Sequence, residues 1–210
     1  MNKKQVFCIM LPLLAALGYA PISAASFLSD NLSASPVYSQ NAPGVTSTDW
    51  YASSFMTDGY SYTLQSVAFL MAMTSSSGAA QAAIFTDVSD QPGSQVGALI
   101  SPGSYSNTLA STSFTASGIT LAANTTYWVV LSASSGNFNW AWTDSNIGSG
   151  VGFTHTWSGS DNAGSSWLTF HDSPQIMQVD ANAIPEPAAL WLFGIGLAGM
   201  RLVERRRIGV

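Results

Sequence analysis

Histidine, aspartate and serine side chains are the residues of this sequence that could carry hydrolytic chemistry. His155 and His171 are the only two histidines, and serines and aspartates are abundant around them. A Ser-His-Asp triad is therefore possible by residue count, but no G-x-S-x-G pattern presents a serine as a nucleophile. A glycosidase needs two carboxyl groups flanking a sugar, for which Asp144 and Asp161 are the best pair. We assign no catalytic residue and expect a protein that is not an enzyme, with a secreted hydrolase as an alternative.

The same aspartates are the candidate metal ligands, because carboxylate oxygens suit Ca²⁺. None of them has the spacing of an EF-hand loop, and aspartates in turns also arise from turn chemistry alone. One cysteine and two histidines are too few for an ordinary four-ligand zinc site. We predict no metal ligand set and no cofactor, and leave a structural calcium ion open. The aspartates considered are Asp87, Asp90, Asp144 and Asp161.

Aromatic residues form the third candidate site. Phe138, Trp140 and Trp142 occupy alternate positions, so a strand would place all three on one face. Exposed on a sheet, Trp140, Trp142 and the later Trp157 could stack on sugar rings, since indole combines an apolar body with a polar N–H group. The alternative, which we favour, is that these rings fill the core. Any bound glycan should be neutral, because the surrounding chain is acidic.

Charge is distributed unevenly along the 210 residues. All six basic residues lie at the two ends, whereas residues 26–184 contain nine aspartates and neither lysine nor arginine. A protein that neutralises nucleic-acid phosphates needs cationic side chains. This part of the chain is therefore not a nucleic-acid binder, and chemistry that requires a lysine or an arginine is excluded from it.

The N-terminal segment has the layout of a secretory signal peptide. Lys3 and Lys4 precede an apolar run from Val6 to Leu17, and small residues follow up to Ala25. This order is typical of a Sec-type signal, so we predict a signal peptide over residues 1–25 and the Sec translocon as a partner. Cys8, the only cysteine, would be removed with it, and the exported chain would hold no disulfide.

The C-terminal segment combines a proline motif, an apolar run and a basic end. Residues 184–187 read Ile-Pro-Glu-Pro, residues 188–203 are mostly apolar, and residues 201–207 carry four arginines. We predict a single membrane-spanning helix over 188–203, short for a bilayer core of about 30 Å. Its basic end should stay in the cytoplasm and leave the preceding residues outside. The residues that set this orientation are Arg205, Arg206 and Arg207.

This three-part tail resembles a PEP-CTERM sorting signal, with Pro185, Glu186 and Pro187 as the sorting motif within residues 183–207. The resemblance implies processing by an exosortase, a membrane protease-like enzyme, after transient anchoring by the C-terminal helix. It also implies a precursor that is tethered to the inner membrane and faces the periplasm, then moves to the cell surface or extracellular matrix. An association with exopolysaccharide or biofilm belongs to the same expectation.

Short runs of β-branched and aromatic residues, separated by turn residues every eight to twelve positions, predict the fold of the remaining chain. This pattern is typical of an all-β, antiparallel, sandwich-like or jelly-roll-like domain, here over residues 26–182. In the segment Tyr127–Leu131 bulky residues occupy both faces, which indicates a central strand. Pro92-Gly93 in the loop 87–94 predicts a turn there. The predicted strands are 50–57, 67–73, 80–86, 96–100, 112–116, 119–121, 125–133, 138–143, 152–157, 167–171 and 176–180.

Three segments of this domain also resemble a choice-of-anchor domain, closest to the R type. They are residues 62–67, the loop 91–94 and residues 121–131. The resemblance implies a β-sandwich of unassigned activity. The sequence therefore predicts an exported, exosortase-sorted envelope or matrix protein of structural type, with a carbohydrate-binding surface module as the alternative.

Overall fold

The computed structural model describes residues 26–37 and 44–185, and these form an all-β structure. No helix long and apolar enough to cross a membrane occurs within these residues. The predicted signal peptide, the spanning helix 188–203, Glu186, Pro187 and the arginines lie outside the described part. The strands are β1 (Ser26–Asp30), β2 (Trp50–Met56), β3 (Tyr62–Met73), β4 (Ala79–Asp87), β5 (Pro92–Ala98), β6 (Ala110–Thr115), β7 (Thr120–Leu121), β8 (Thr126–Ser135), β9 (Phe138–Trp140), β10 (Phe153–Ser160), β11 (Leu168–Phe170) and β12 (Met177–Ala183).

These strands build two antiparallel sheets, as the sequence predicts. In the first sheet the order is β1-β12-β3-β6, with β7 and β9 also paired to β3; in the second it is β11-β10-β2-β8-β4-β5. Apolar side chains of both sheets meet in one core, including Val67 and Phe69 from β3 and Phe55 and Leu131 from the second sheet. Alternation explains this core: successive side chains of a strand point to opposite faces.

Strand β8 is central, because it lies between β2 and β4. Its residues Tyr127, Val129 and Leu131 join the main core. The alternate residues Trp128 and Val130 face the other side of the sheet, where Ala52 and Trp167 help to cover them. The prediction of a central strand with two apolar faces is confirmed.

The predicted strands differ most from the structure at three places, and the other strand boundaries agree to within three residues. Strand β1 was not predicted, and β3 begins at Tyr62 rather than Val67. The turn predicted at Pro92 and Gly93 was wrong, since β5 begins at Pro92. The chain turns earlier, at Ser89 and Asp90, whose φ angles of 54° and 63° are left-handed. Short polar side chains tolerate this conformation better than most.

Candidate binding cleft

A cleft between the two sheets brings all three candidate tryptophans together. Its volume is about 300 Å³, at the lower end of the usual range for ligand sites. Strand β9 and the segment after it provide one wall, and β2 and β10 provide the other. The lining residues are Val45, Tyr51, Trp140, Trp142, Trp157, Asp172, Ser173 and Gln175.

Trp140 forms the floor of this cleft. The pairing of β9 with β3 places it opposite Met71, and the side chain is only 6% exposed. Its ring packs edge-on against Phe69 at 5.0 Å, and its Nε1–H donates to the carbonyl of Ile176 at 2.9 Å. Because its polar group is satisfied within the chain, Trp140 behaves as a core residue with one edge at the cleft.

Trp142 lies at the rim, half-buried. Backbone bridges hold it on both sides, to Val37 and to Gln175, so the side chains of Trp142 and Gln175 start from neighbouring positions. Among the described residues no aromatic ring pairs with Trp142, in contrast to Phe138 and Trp140. The alternating aromatic segment thus runs from the core at Phe138 to an unpaired ring at Trp142.

Trp157 comes from the opposite wall and stands in a row of three rings across neighbouring strands. Phe170 stacks on it at a centroid distance of 4.4 Å, which is van der Waals contact. Tyr51 follows on the other side at 6.2 Å. A sugar cannot enter between Trp157 and Phe170, so Trp157 serves as a wall rather than as an open stacking platform. Its Nε1 is buried and has no hydrogen-bond partner among the described residues.

Gln175 supplies the second unsatisfied polar atom of the cleft. The residue is 5% exposed, and its Oε1 has no partner within the described part of the chain. Its backbone carbonyl is held by the Asn31 side-chain amide at 3.1 Å. A buried polar group without a partner costs about 1 to 3 kcal/mol, so two of them at one cavity need an explanation.

The electrostatics of the cleft are mildly acidic. Asp172 lies at its rim and is exposed. The pKa of Tyr51 is raised by burial and, to a lesser extent, by the nearby carboxylate of Asp49, so its hydroxyl stays protonated at neutral pH. No cationic side chain exists in residues 26–184. The cleft therefore disfavours anions and offers apolar rings, an amide, a hydroxyl and an N–H group.

A second, shallower groove continues from the cleft. It shares Tyr51 and Trp157 with the cleft and extends to Asp161, Trp167 and Phe170. Asp161, one of the two candidate glycosidase carboxylates, lies in this groove. Asp144 is exposed in the segment that follows β9.

The structure brings one histidine into contact with an acid, in an arrangement that the sequence did not predict. His171 Nε2 lies 3.3 Å from Asp90 Oδ2, and His171 Nδ1 lies 3.2 Å from the Thr156 hydroxyl. The side chains of His171 and Asp90 are 64% and 54% exposed, without the water-excluded surroundings in which catalytic electrostatics become strong. His155 is exposed and does not line the cleft.

The aspartates considered as calcium ligands do not converge. Within residues 26–37 and 44–185, no group of three or more histidine, cysteine, aspartate or glutamate side chains is arranged to hold a metal ion. Asp87 instead accepts a hydrogen bond from Trp128 Nε1 at 2.7 Å, and Asp90 contacts His171.

Comparison with known proteins identifies the tail. Residues 183–207 match the model of the PEP-CTERM protein-sorting motif. The match supports the predicted sorting signal and implies an exosortase-processed, membrane-anchored precursor on its way to secretion or the cell surface. No curated protein matches the chain. The resemblance of residues 30–182 to a choice-of-anchor domain is not supported by these comparisons and stays a prediction.

The β-structure of residues 26–184, which we call the body, joins the sorting motif without a spacer. Strand β12 ends at Ala183, and the amide of Ile184 donates to the carbonyl of Ser61 at 2.8 Å. Pro185, the first residue of the Pro-Glu-Pro motif, follows directly and is exposed. Backbone hydrogen bonds therefore hold the chain in place up to Ile184, the residue before the motif.

Proposed function

We propose that this is a non-enzymatic protein of the envelope or extracellular matrix, sorted by an exosortase, whose body binds neutral exopolysaccharide in the tryptophan-lined cleft. The sorting-motif match supports sorting by an exosortase. The lining of the cleft supports a neutral sugar as the ligand. A choice-of-anchor type of body would be compatible with this role, since that resemblance implies a β-sandwich of unassigned activity and assigns no catalytic residue to this chain.

The observation that carries the ligand class is the pair of unsatisfied polar atoms, Trp157 Nε1 and Gln175 Oε1. One is a donor and the other an acceptor, and both belong to residues that line the cleft. Both atoms are buried, so a polyhydroxylated ligand, whose hydroxyl groups donate and accept, can satisfy them once the side chains around them shift. A purely apolar ligand would leave both unsatisfied.

The remaining surfaces of the cleft fit a neutral sugar. The ring of Trp142 offers an apolar face for the C–H side of a pyranose. Within residues 26–37 and 44–185, neither another aromatic ring nor a hydrogen-bond acceptor pairs with it. The nine aspartates and the absence of basic residues between 26 and 184 disfavour uronic acids and sulfated glycans. The same features give no cation that could hold a charged substrate.

Titration with neutral oligosaccharides tests the proposal. The full chain, held in a detergent without a sugar headgroup, is titrated calorimetrically with gluco-, xylo- and manno-oligosaccharides. We expect Trp142→Ala to weaken binding about tenfold, equivalent to about 1.4 kcal/mol, because an aromatic anchor at a cavity is lost.

Trp50→Ala is the matched control. Trp50 is also half-buried, and its Nε1–H is satisfied by the carbonyl of Ser47 at 3.0 Å, but it does not line the cleft. We expect this variant to bind sugar as the parent does. Equal losses in both variants, or a parent that binds acidic but not neutral glycans, would contradict the proposal.

Intact-mass analysis of protein from envelope and medium tests the sorting route separately. Processing should yield species that end near residues 185–187 and lack the C-terminal arginines. A mass that extends to Val210 in every fraction would contradict removal of the tail, whatever the cleft binds.

A further inference from the structure

Large apolar side chains are exposed at the end of the body from which the sorting tail leaves. Five of them are between 38% and 53% exposed, and contiguous exposed apolar side chains mark interaction surfaces. We call this surface the tethered end. Its members are Phe27, Met56, Tyr60, Val151 and Ile184.

Backbone hydrogen bonds show that these residues are neighbours. The amide of Ile184 donates to Ser61, next to Tyr60. The amide of Met56 donates to the carbonyl of Gly152 at 2.9 Å, and the amide of Gly152 donates to Leu28 at 2.8 Å, which places Val151 and Phe27 beside them. The exposed side chains therefore belong to one continuous rim at the ends of β1, β2, β10 and β12.

The length of chain beyond the body identifies what this rim meets. The apolar segment of the matched sorting signal starts at Ala188, four residues after Ile184. At about 3.5 Å per residue, four residues reach at most about 14 Å. The headgroup layer itself adds about 5 to 7 Å on each side of the hydrocarbon core. While the precursor is anchored, Ile184 is therefore held within about 14 Å of the hydrocarbon core, which keeps the tethered end within reach of the lipid surface.

We propose that the tethered end docks on the lipid headgroup layer of the anchored precursor by inserting these apolar side chains. Tyrosine is enriched at membrane interfaces because its ring is apolar and its hydroxyl is polar. The single carboxylate in this loop, Asp58, is engaged by the Tyr60 amide at 3.0 Å and the Tyr62 hydroxyl at 2.9 Å. Because residues 26–184 contain neither lysine nor arginine, docking relies on apolar contacts and not on attraction to anionic lipids. A zwitterionic lipid surface therefore suits it.

Depth-dependent quenching of a single fluorophore tests this docking. The full chain with Cys8→Ser contains no other cysteine and accepts one label, at Gly59→Cys or at Ser76→Cys. Gly59 is next to Tyr60 of the tethered end, and a Cβ atom added there meets nothing within 4 Å, whereas Ser76 lies in the connection between β3 and β4. Strand β3, with 12 residues, separates the two by about 36 Å. In phosphatidylcholine vesicles with nitroxide-labelled headgroups, we expect quenching at residue 59 to be at least threefold stronger.

A second variant distinguishes docking from mere tethering. Met56→Ser with Tyr60→Ser removes apolar surface but leaves the tail intact, and we expect quenching at residue 59 to fall at least twofold. Leu168→Ser, which removes an exposed apolar side chain from β11, should leave it unchanged. Circular dichroism confirms that the variants fold. Equal quenching at both labels, or quenching that the double serine variant does not lower, would overturn the proposal; neither result depends on sugar binding.

Discussion

Two tryptophan-rich regions of the second sheet use the same side chain in opposite ways. Trp128, on the outer face of β8, is fully buried, and its Nε1–H donates to Asp87 at 2.7 Å. Trp157, on β10, is half-buried beside a cleft, and its buried Nε1 has no hydrogen-bond partner in the described part of the chain. Around Trp128 the ring is covered and its N–H group has a hydrogen-bond acceptor. Around Trp157 the ring borders a cleft and its N–H group lacks an acceptor.

The positions of the two strands explain much of this difference. Strand β8 has full-length neighbours on both sides, β2 and β4, so covering side chains surround Trp128. Strand β10 is flanked on one side by β11, which has three residues. A tryptophan near a sheet edge therefore keeps part of its surface open to a ligand. The state of the indole N–H, more than burial of the ring, separates Trp128 from Trp157.

Replacing Trp128 with phenylalanine should give the largest effect. The substitution leaves a cavity and removes the donor from Asp87, and hydrogen bonds to charged groups contribute about 1.5 to 3 kcal/mol. With the packing loss added, we expect the free energy of unfolding to fall by about 2 to 4 kcal/mol. Chemical denaturation with matched m-values measures this change.

Asp87→Asn is the control for that prediction. It keeps an acceptor for the Trp128 N–H and should cost less than half as much, because neutral hydrogen bonds are weaker than charged ones. If Trp128→Phe is as mild as a surface substitution, the region around Trp128 does not stabilise the sheet and the contrast between the two regions fails.

The sequence predicted the sheets more fully than the site. Alternation in β3 and the two apolar faces of β8 follow from the two-residue period of a strand, so these elements could be recognised directly. Strand β1 could not, because Ser26–Asp30 pairs with β12, about 150 residues away, and such pairing leaves no local signal. The turn was misplaced because Pro92-Gly93 is a stronger turn pattern than Ser89-Asp90, although Pro can also begin a strand.

The candidate tryptophans could be named from their spacing, but their separate roles could not. Alternation placed Trp140 and Trp142 on one face, and only the structure shows that the first is the floor of a cleft and the second its rim. Trp157 reaches the same cleft from another sheet, which no local pattern encodes. The unsatisfied Gln175 was missed for the same reason: a lone glutamine next to a proline carries no signal in sequence.

Tyr62 extends the comparison to a second satisfied polar group. Burial, followed by the hydrogen bond from its hydroxyl to Asp58, raises its pKa from 10 to about 12. The folded protein therefore holds the phenolic proton more tightly than the unfolded chain does. The resulting stability is fully present below pH 10 and is lost as the pH rises from 10 to 12. At about 1.4 kcal/mol per pH unit, and with a discount because solvent screens part of this interaction, the loss amounts to about 1 to 2 kcal/mol.

Tyr62→Phe separates this contribution from general alkaline unfolding. The variant should lose about 1 to 2 kcal/mol less than the parent between pH 9.5 and 12, because it has no phenolic proton at this position. Urea denaturation at several pH values measures both curves. Parallel curves for the two proteins would show that Tyr62 does not titrate differently in the folded state.

Replacing Trp157 with phenylalanine should give the smallest change in stability and so sharpens the comparison most. The same substitution that removes a satisfied N–H at Trp128 here removes an unsatisfied one, whose burial costs about 1 to 3 kcal/mol. That relief offsets the lost packing against Tyr51 and Phe170, and we expect the free energy of unfolding to change by less than about 1 kcal/mol.

Sugar binding should nevertheless weaken about two- to tenfold, the effect of one lost hydrogen bond. Denaturation and calorimetry on the same preparation measure both quantities. A loss of stability as large as that of Trp128→Phe, with sugar binding unchanged, would contradict this prediction. It would show that Trp157 stabilises the core and does not contribute to a binding site.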